Sequence, residues 1–310
     1  MIWLVWRQHR AAYWTLLAAT ALSVAWIILK RADLTDYLAA HGWPSATGKW
    51  VDGLGPYQFE LQKVGLGLGF APILLGVFLA APLLAGDLET GTAKLIASQS
   101  ASRIRWLCTK LGLSMLVVVL CTTALSIAFG WWFEPIKSSD SGTSWSDGFI
   151  FDNTGPVPVA LALFTVAAGV AIGMILRRTL LSMVVTFVAA VIVQLLWGRA
   201  RLHLGDVITL TTTGKDHPMV FPEVPHGAIE IDRWYATGSG GTRGLGTCIN
   251  GASESIRAAC RQKADISGWS IDYLPISQLH SMQWFGASIL FVLTALITVF
   301  ILLRGHKRVV

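Results

Sequence analysis

Residues able to do chemistry are few in this chain and fall in separate stretches. Asp87 and Glu89 are followed by Gly91, Thr92, Lys94 and Arg103 in the polar run GDLETGTAKLIASQSASRIRWLCTKLG, which separates two apolar stretches. Two carboxylates opening a short helix would favour its dipole, and a glycine just beyond lets another backbone come close, so the run suits a docking element. A solvated connector whose charges only set orientation accounts for the same residues equally well. Cys248 and Cys260 are expected to form a disulfide, because both fall in the one long segment expected outside the membrane, where conditions are oxidising, whereas Cys108 and Cys121 sit inside an apolar run. His203, His217 and His226 match no metal-ligand spacing, so structural or surface histidines are expected and no metal site.

Nucleotide hydrolysis by this chain is not expected. A phosphate-cradling loop needs G-x-x-x-x-G-K-[ST], because its backbone amides hold phosphate and its hydroxyl holds magnesium. The run from Gly42 to Lys49 has one residue too many and ends in Trp50, and Gly214-Lys215 is followed by Asp216. No bound cofactor is expected either.

The elements that position these residues follow from composition. Of 310 residues 54% are hydrophobic and 14% charged, against about 25% charged in an ordinary soluble domain. Six apolar runs reach the length an α-helix needs to cross a bilayer: 13–29, 64–86, 106–133, 156–176, 179–197 and 282–303. They do not alternate in polarity as barrel strands do, so an all-α membrane protein with six transmembrane helices is predicted. Pro72 and Pro82 should bend the second helix. Gly65 and Gly69 on the second helix, and Gly169 and Gly173 on the fourth, mark helix-packing faces. Residues 1–10 interleave tryptophan and aliphatic residues with basic ones, as an N-terminal interfacial helix would. Lys110, one turn into the third helix, should snorkel to the near surface.

Loop charge sets the expected orientation. With the N-terminus inside, the inner segments hold 11 basic and two acidic residues, and the outer ones 13 basic and 16 acidic. That bias predicts a plasma-membrane protein with both termini cytoplasmic and the Arg177-Arg178 turn inside. The net charge of +6 therefore encodes orientation and implies no nucleic-acid partner. The expected organisation is helices one to five over 1–197 with a cytoplasmic segment at 87–105, an extracellular mixed α/β domain over 198–281, and a sixth helix with a cytoplasmic tail over 282–310. Strand-like runs at Val207 to Thr213 and Ala228 to Tyr235 support the mixed domain.

The polar run at 86–112 resembles a known family. Its carboxylate-x-Glu-x-Gly-Thr opening, its Ser/Gln/Ser-rich bend and its Ser-Arg-x-Arg-Trp-Leu lead into a helix are similar to permease subunits of type-2 ABC exporters, in particular short actinobacterial ones. The W-R-Q-H-R opening at 6–10, the Gly169, Gly173, Arg177-Arg178 pattern and Tyr273-x-Pro275 agree. The likeness covers roughly 1–200 and 272–310 and leaves out the external domain. It implies an ATP-driven exporter of an amphipathic or hydrophobic compound, a drug, peptide or lipid-like molecule. Two separate ATPase subunits would carry ATP and Mg, and a second permease copy would complete a homodimer around a path lined by helices one, two and five. Asp87, Glu89, Gly91, Thr92, Lys94 and Arg103 would be the ATPase-coupling element. Two rivals stand beside this: a mechanotransmission or sensor permease without a transported substrate, and a membrane-embedded enzyme using His203, Asp206, Asp272 and His280.

Overall fold

The computed structural model describes residues 2–42, 53–91, 103–137, 143–213, 221–248 and 253–308. Six helical stretches there are long and apolar enough to span a bilayer: Ile2–Ala40, Gly55–Glu89, Ile104–Ile136, Val157–Leu176, Thr179–Leu204 and Ile276–Gly305. The chain is a multi-pass membrane protein.

The first span is one unbroken helix, α1 (Ile2–Ala40). Neither glycine nor proline interrupts those residues, so the N-terminal ten run straight into the span and form no separate interfacial helix. Tyr13, Thr20, Ile27 and Leu34 recur every seven residues and are buried, a narrow seam that packs on α5 (Arg103–Phe133).

The second span is broken twice. It comprises α2 (Gly55–Gly69), α3 (Ala71–Leu74), a π-helical turn (Leu75–Ala80) and α4 (Ala81–Glu89). Pro72 and Pro82 each lack the N–H that would continue the ladder, and the carbonyl of Pro72 accepts from Thr165 Oγ1 at 2.9 Å as well as from the Leu75 N–H.

The fourth span, α7 (Val157–Leu176), is the bundle's centre. It buries most of its residues against the second span, α5, α8 (Thr179–Ala200) and α10 (Leu279–Arg308). By contrast α8 buries only Ser182, Thr186, Ala190 and Trp197, which leaves most of it to lipid or to another chain. Between α5 and α7 the chain turns back through a four-residue helix, α6 (Gly148–Phe151).

A four-stranded antiparallel sheet lies between the fifth and sixth spans, in the order β1-β4-β2-β3. Its strands are β1 (Ile208–Thr213), β2 (Ile229–Thr237), β3 (Thr242–Arg243) and β4 (Ile266–Leu274). One helix, α9 (Glu254–Lys263), accompanies it, capped by the Ser253 hydroxyl. Cys260 on α9 is disulfide-bonded to Cys248, with the Cα atoms 5.7 Å apart. Strand β1 follows α8 through a single 3-10 turn and β4 leads into α10 through another, so the unit is tied to the bundle at both of its chain ends, through two neighbouring strands.

Candidate functional site

Polar side chains gather at the two ends of the bundle, and each gathering contains an ion pair. The first lies at the end bearing the Arg177-Arg178 turn. Asp87 is buried there, its carboxylate bound to the ammonium of Lys110 and accepting from Gln8 Nε2 at 2.9 Å. Lys110 is 0% exposed, with its Nζ over the ring of Trp106. It does not snorkel, because a carboxylate at the same depth on the neighbouring span holds it inside. Deeper in, Tyr13 and Ser114 share a 2.8 Å hydrogen bond, and the Ser114 hydroxyl donates to the Lys110 carbonyl.

The placement of Asp87 and Glu89 differs from the expectation in one respect. They occupy the last turn of α4 rather than the start of a helix, an end where the dipole disfavours carboxylates. Each is compensated by another span. Asp87 has Lys110 and Gln8, while the exposed Glu89 accepts from the backbone N–H of Thr179 at 2.8 Å, the first residue of α8. A helix N-terminus does favour Glu89, but it belongs to the fifth span. Gly91 follows at φ +74°. Thr92 and Lys94 lie outside the described residues, and of Arg103 the backbone alone is described, as the first residue of α5.

The packing glycines divide. A Cβ on Gly173 would lie 2.5 Å from the Ala81 carbonyl, one on Gly169 would lie 2.7 Å from the Gly76 carbonyl, and one on Gly65 would lie 2.7 Å from the Phe149 carbonyl. Gly69 has nothing within 4 Å at that position; its carbonyl accepts from Gln194 Nε2 of α8 at 2.8 Å.

The second gathering surrounds α6 at the sheet end. Asp152 accepts from Trp197 Nε1 at 2.7 Å and from Arg201 Nη1 at 2.9 Å. Burial holds the Asp152 carboxyl above the usual carboxylate range, against the opposing pull of Arg201 and Trp197. Asn153 donates to the carbonyls of Gly65 and Phe149, Ser126 donates to that of Gly155, and the buried Gln283 of α10 donates to Thr154. Trp145 Nε1 donates to the Gly227 carbonyl in the sheet unit. Every span except the first is thereby fastened to residues 148–156 or to the helix that follows them.

Beside this hub lies a cleft of about 470 Å³ between the second span and α8. Leu66, Phe70, Ile73, Val191 and Leu195 line its apolar part, and Asp152, Asn153, Gln194 and Arg201 its polar part.

The histidines and acids considered for surface chemistry stay apart. Asp272 accepts from Thr209 on the sheet, and His203 sits against the Arg199 carbonyl. Among the described residues no three His, Cys, Asp or Glu side chains gather in a metal-binding arrangement. His217 lies outside the described residues.

The sequence model of one family, described as ABC-2 membrane transporter related, matches residues 17–201. The chain belongs to that family. The match takes in most of the first span, the second to fourth spans and the fifth as far as Arg201, with Asp87, Lys110, Asp152 and Asn153 inside it; Gln8, Tyr13, the sheet and α10 with Gln283 fall outside it. No curated protein and no solved structure matches the chain. In this ABC-2-related protein, Lys110, Gln8, Asp152, Asn153, Trp197 and Arg201 are members of the polar gatherings that sequence reading did not bring together. One signal was present: Asp87 and Lys110 lie on consecutive antiparallel spans, on either side of one connection.

Proposed function

We propose that this chain is the permease subunit of an ATP-driven exporter that moves an amphipathic compound across the plasma membrane. Both termini and the Arg177-Arg178 turn lie in the cytoplasm, as the loop charge favours. Two copies pair with two ATPase chains, which hold the ATP and Mg. ATP-driven closure of the ATPases pulls on the segment at 87–105 and reshapes the cleft between the second and fifth spans.

One observation carries the coupling step. The chain leaves α4 at a point tied to three other spans: to α1 through Gln8, to α5 through Lys110 and to α8 through the Glu89–Thr179 bond. A displacement of the following segment therefore reaches all three, and two of the tied spans, α1 and α8, are sparsely packed within the protomer. Packed elements with two arrangements transmit such shifts as units.

The paired change Glu89→Lys and Gly91→Leu tests this. It removes the α8 contact and puts a branched side chain at a φ of +74°. Membrane insertion should persist, and stimulation of ATP turnover by the permease in the cognate complex should be lost. Unchanged assembly and unchanged stimulation would make the segment a mere connector.

The sheet favours a second reading, a mechanical relay without a transported compound, because Trp145 ties it directly to the hub at α6. ATP turnover that responds to a ligand of the sheet and to no amphipath would select that reading.

A further inference from the structure

The cleft beside α6 has a chemistry that restricts its occupant. Its apolar walls open on the flank of the bundle, where Leu66, Phe70 and Leu195 are 52%, 59% and 63% exposed. Its polar part holds one carboxylate and one guanidinium already paired, at 22% and 15% exposure, so its net charge is zero. Charges mostly withdrawn from water are only partly screened, and a third charge would meet one attraction and one repulsion while losing part of its own hydration.

Hydrogen-bonding capacity is nevertheless left over in both senses. Among the described residues, the Arg201 guanidinium bonds through Nη1 alone, to Asp152, and its other N–H groups have no partner. Asn153 and Gln194 use their amide N–H groups on the carbonyls of Gly65, Phe149 and Gly69, and their side-chain oxygens accept nothing among the described residues. A volume of about 470 Å³ falls within the range of small-molecule sites.

We infer that the cleft binds an uncharged amphipath, with alkyl chain along Leu66, Phe70 and Leu195 and a head of hydroxyl, ester or amide groups hydrogen-bonded to Arg201, Asn153 and Gln194. This rests on the transport reading and gives it a substrate class. An acidic head near Arg201 also faces Asp152, and a cationic head near Asp152 also faces Arg201. A head bearing donors and acceptors but no charge satisfies the spare guanidinium N–H groups and both amide oxygens without that penalty.

The test uses the full chain in lipid nanodiscs, photolabelled with a diazirine monoacylglycerol and mapped by mass spectrometry. Monooleoylglycerol, oleate and oleyltrimethylammonium compete. Label should fall on 66–73 and 191–198, with monooleoylglycerol displacing it at a concentration at least about tenfold below either charged competitor. Leu195→Trp should abolish the label by filling the cleft. Asp152→Asn leaves the guanidinium uncompensated and should move the preference toward oleate by about tenfold or more. If that variant does not fold, Gln194→Leu leaves the ion pair alone and should weaken monooleoylglycerol selectively. Equal displacement by all three competitors overturns the inference. So does label that none of them displaces, or crosslinking of these walls to a second copy of the chain in place of the probe. Intact coupling at Glu89 and Gly91 without any preference for monooleoylglycerol sinks the ligand class and leaves the transport reading standing. Lost coupling with the preference intact does the reverse.

Discussion

The two ends of the bundle solve the same electrostatic problem in different ways. At the Arg177-Arg178 end, Lys110 and Asp87 are sealed between α1, α4 and α5, at 0% and 7% side-chain exposure. At the sheet end, Arg201 and Asp152 keep contact with an open cleft, and among the described residues the guanidinium bonds through Nη1 alone. A sealed pair in which each charge has its partner is an anchor, since any movement that separates the charges leaves both unsolvated. An open pair with spare hydrogen-bonding capacity is a place where something else can bind. Under the proposed function, the difference separates a point of force transmission from a point of recognition, although both lie on spans of one hairpin-rich bundle.

Removing one partner at each end breaks the comparison most sharply. Lys110→Met strands the Asp87 carboxylate and should destabilise the protein by about 3–5 kcal/mol, whereas Arg201→Met, whose partner can still reach water in the cleft, should cost about 1–3 kcal/mol. Thermal unfolding in one lipid composition measures both. Adding Asp87→Leu to Lys110→Met should recover most of the first loss, because an apolar pair of similar size fits a sealed site. Equal losses at the two ends, with no recovery in the double variant, would erase the distinction.

The backbone offers a smaller test of the same contrast between tight and open faces. Gly173→Val drives a side chain into the Ala81 carbonyl and should cost about 1–3 kcal/mol, while Gly69→Val enters open space beside the cleft and should change stability by no more than about 0.5 kcal/mol. The Gly69 variant should instead narrow the cleft, which monoacylglycerol labelling would register.

These contrasts also show what was legible in the sequence. The six spans were, because nothing but a bilayer-crossing helix explains apolar runs such as 156–176 and 282–303. The breaks at Pro72 and Pro82 were legible as bends, but not the π-helical turn between them, which packs Gly76 closely on Gly169, a contact 93 residues apart in sequence. Strands β1 and β2 show in their residue types, whereas β4, ISGWSIDYL, mixes small and polar residues and draws its strand character from pairing with both neighbours. The hub at 148–156 reads as a plain loop, since Asp152, Asn153 and Gly155 carry turn chemistry and no periodicity. Its function as a joint depends on Arg201 and Gln283 arriving from spans far along the chain. Lys110 was read as a surface group because its own helix gives no sign of Asp87 beside it.

Which end faces the ATPase decides whether the sealed pair can transmit force and the open cleft can release a compound outside. Single cysteines at Thr90 and Ser239, in a background with Cys108→Ser and Cys121→Ser and the Cys248–Cys260 disulfide intact, report this directly in whole cells with a membrane-impermeant thiol reagent. The cysteine at Ser239 should react from outside and the one at Thr90 only after permeabilisation, and reaction at Thr90 with protection at Ser239 would contradict the assignment of the sealed end to the cytoplasm.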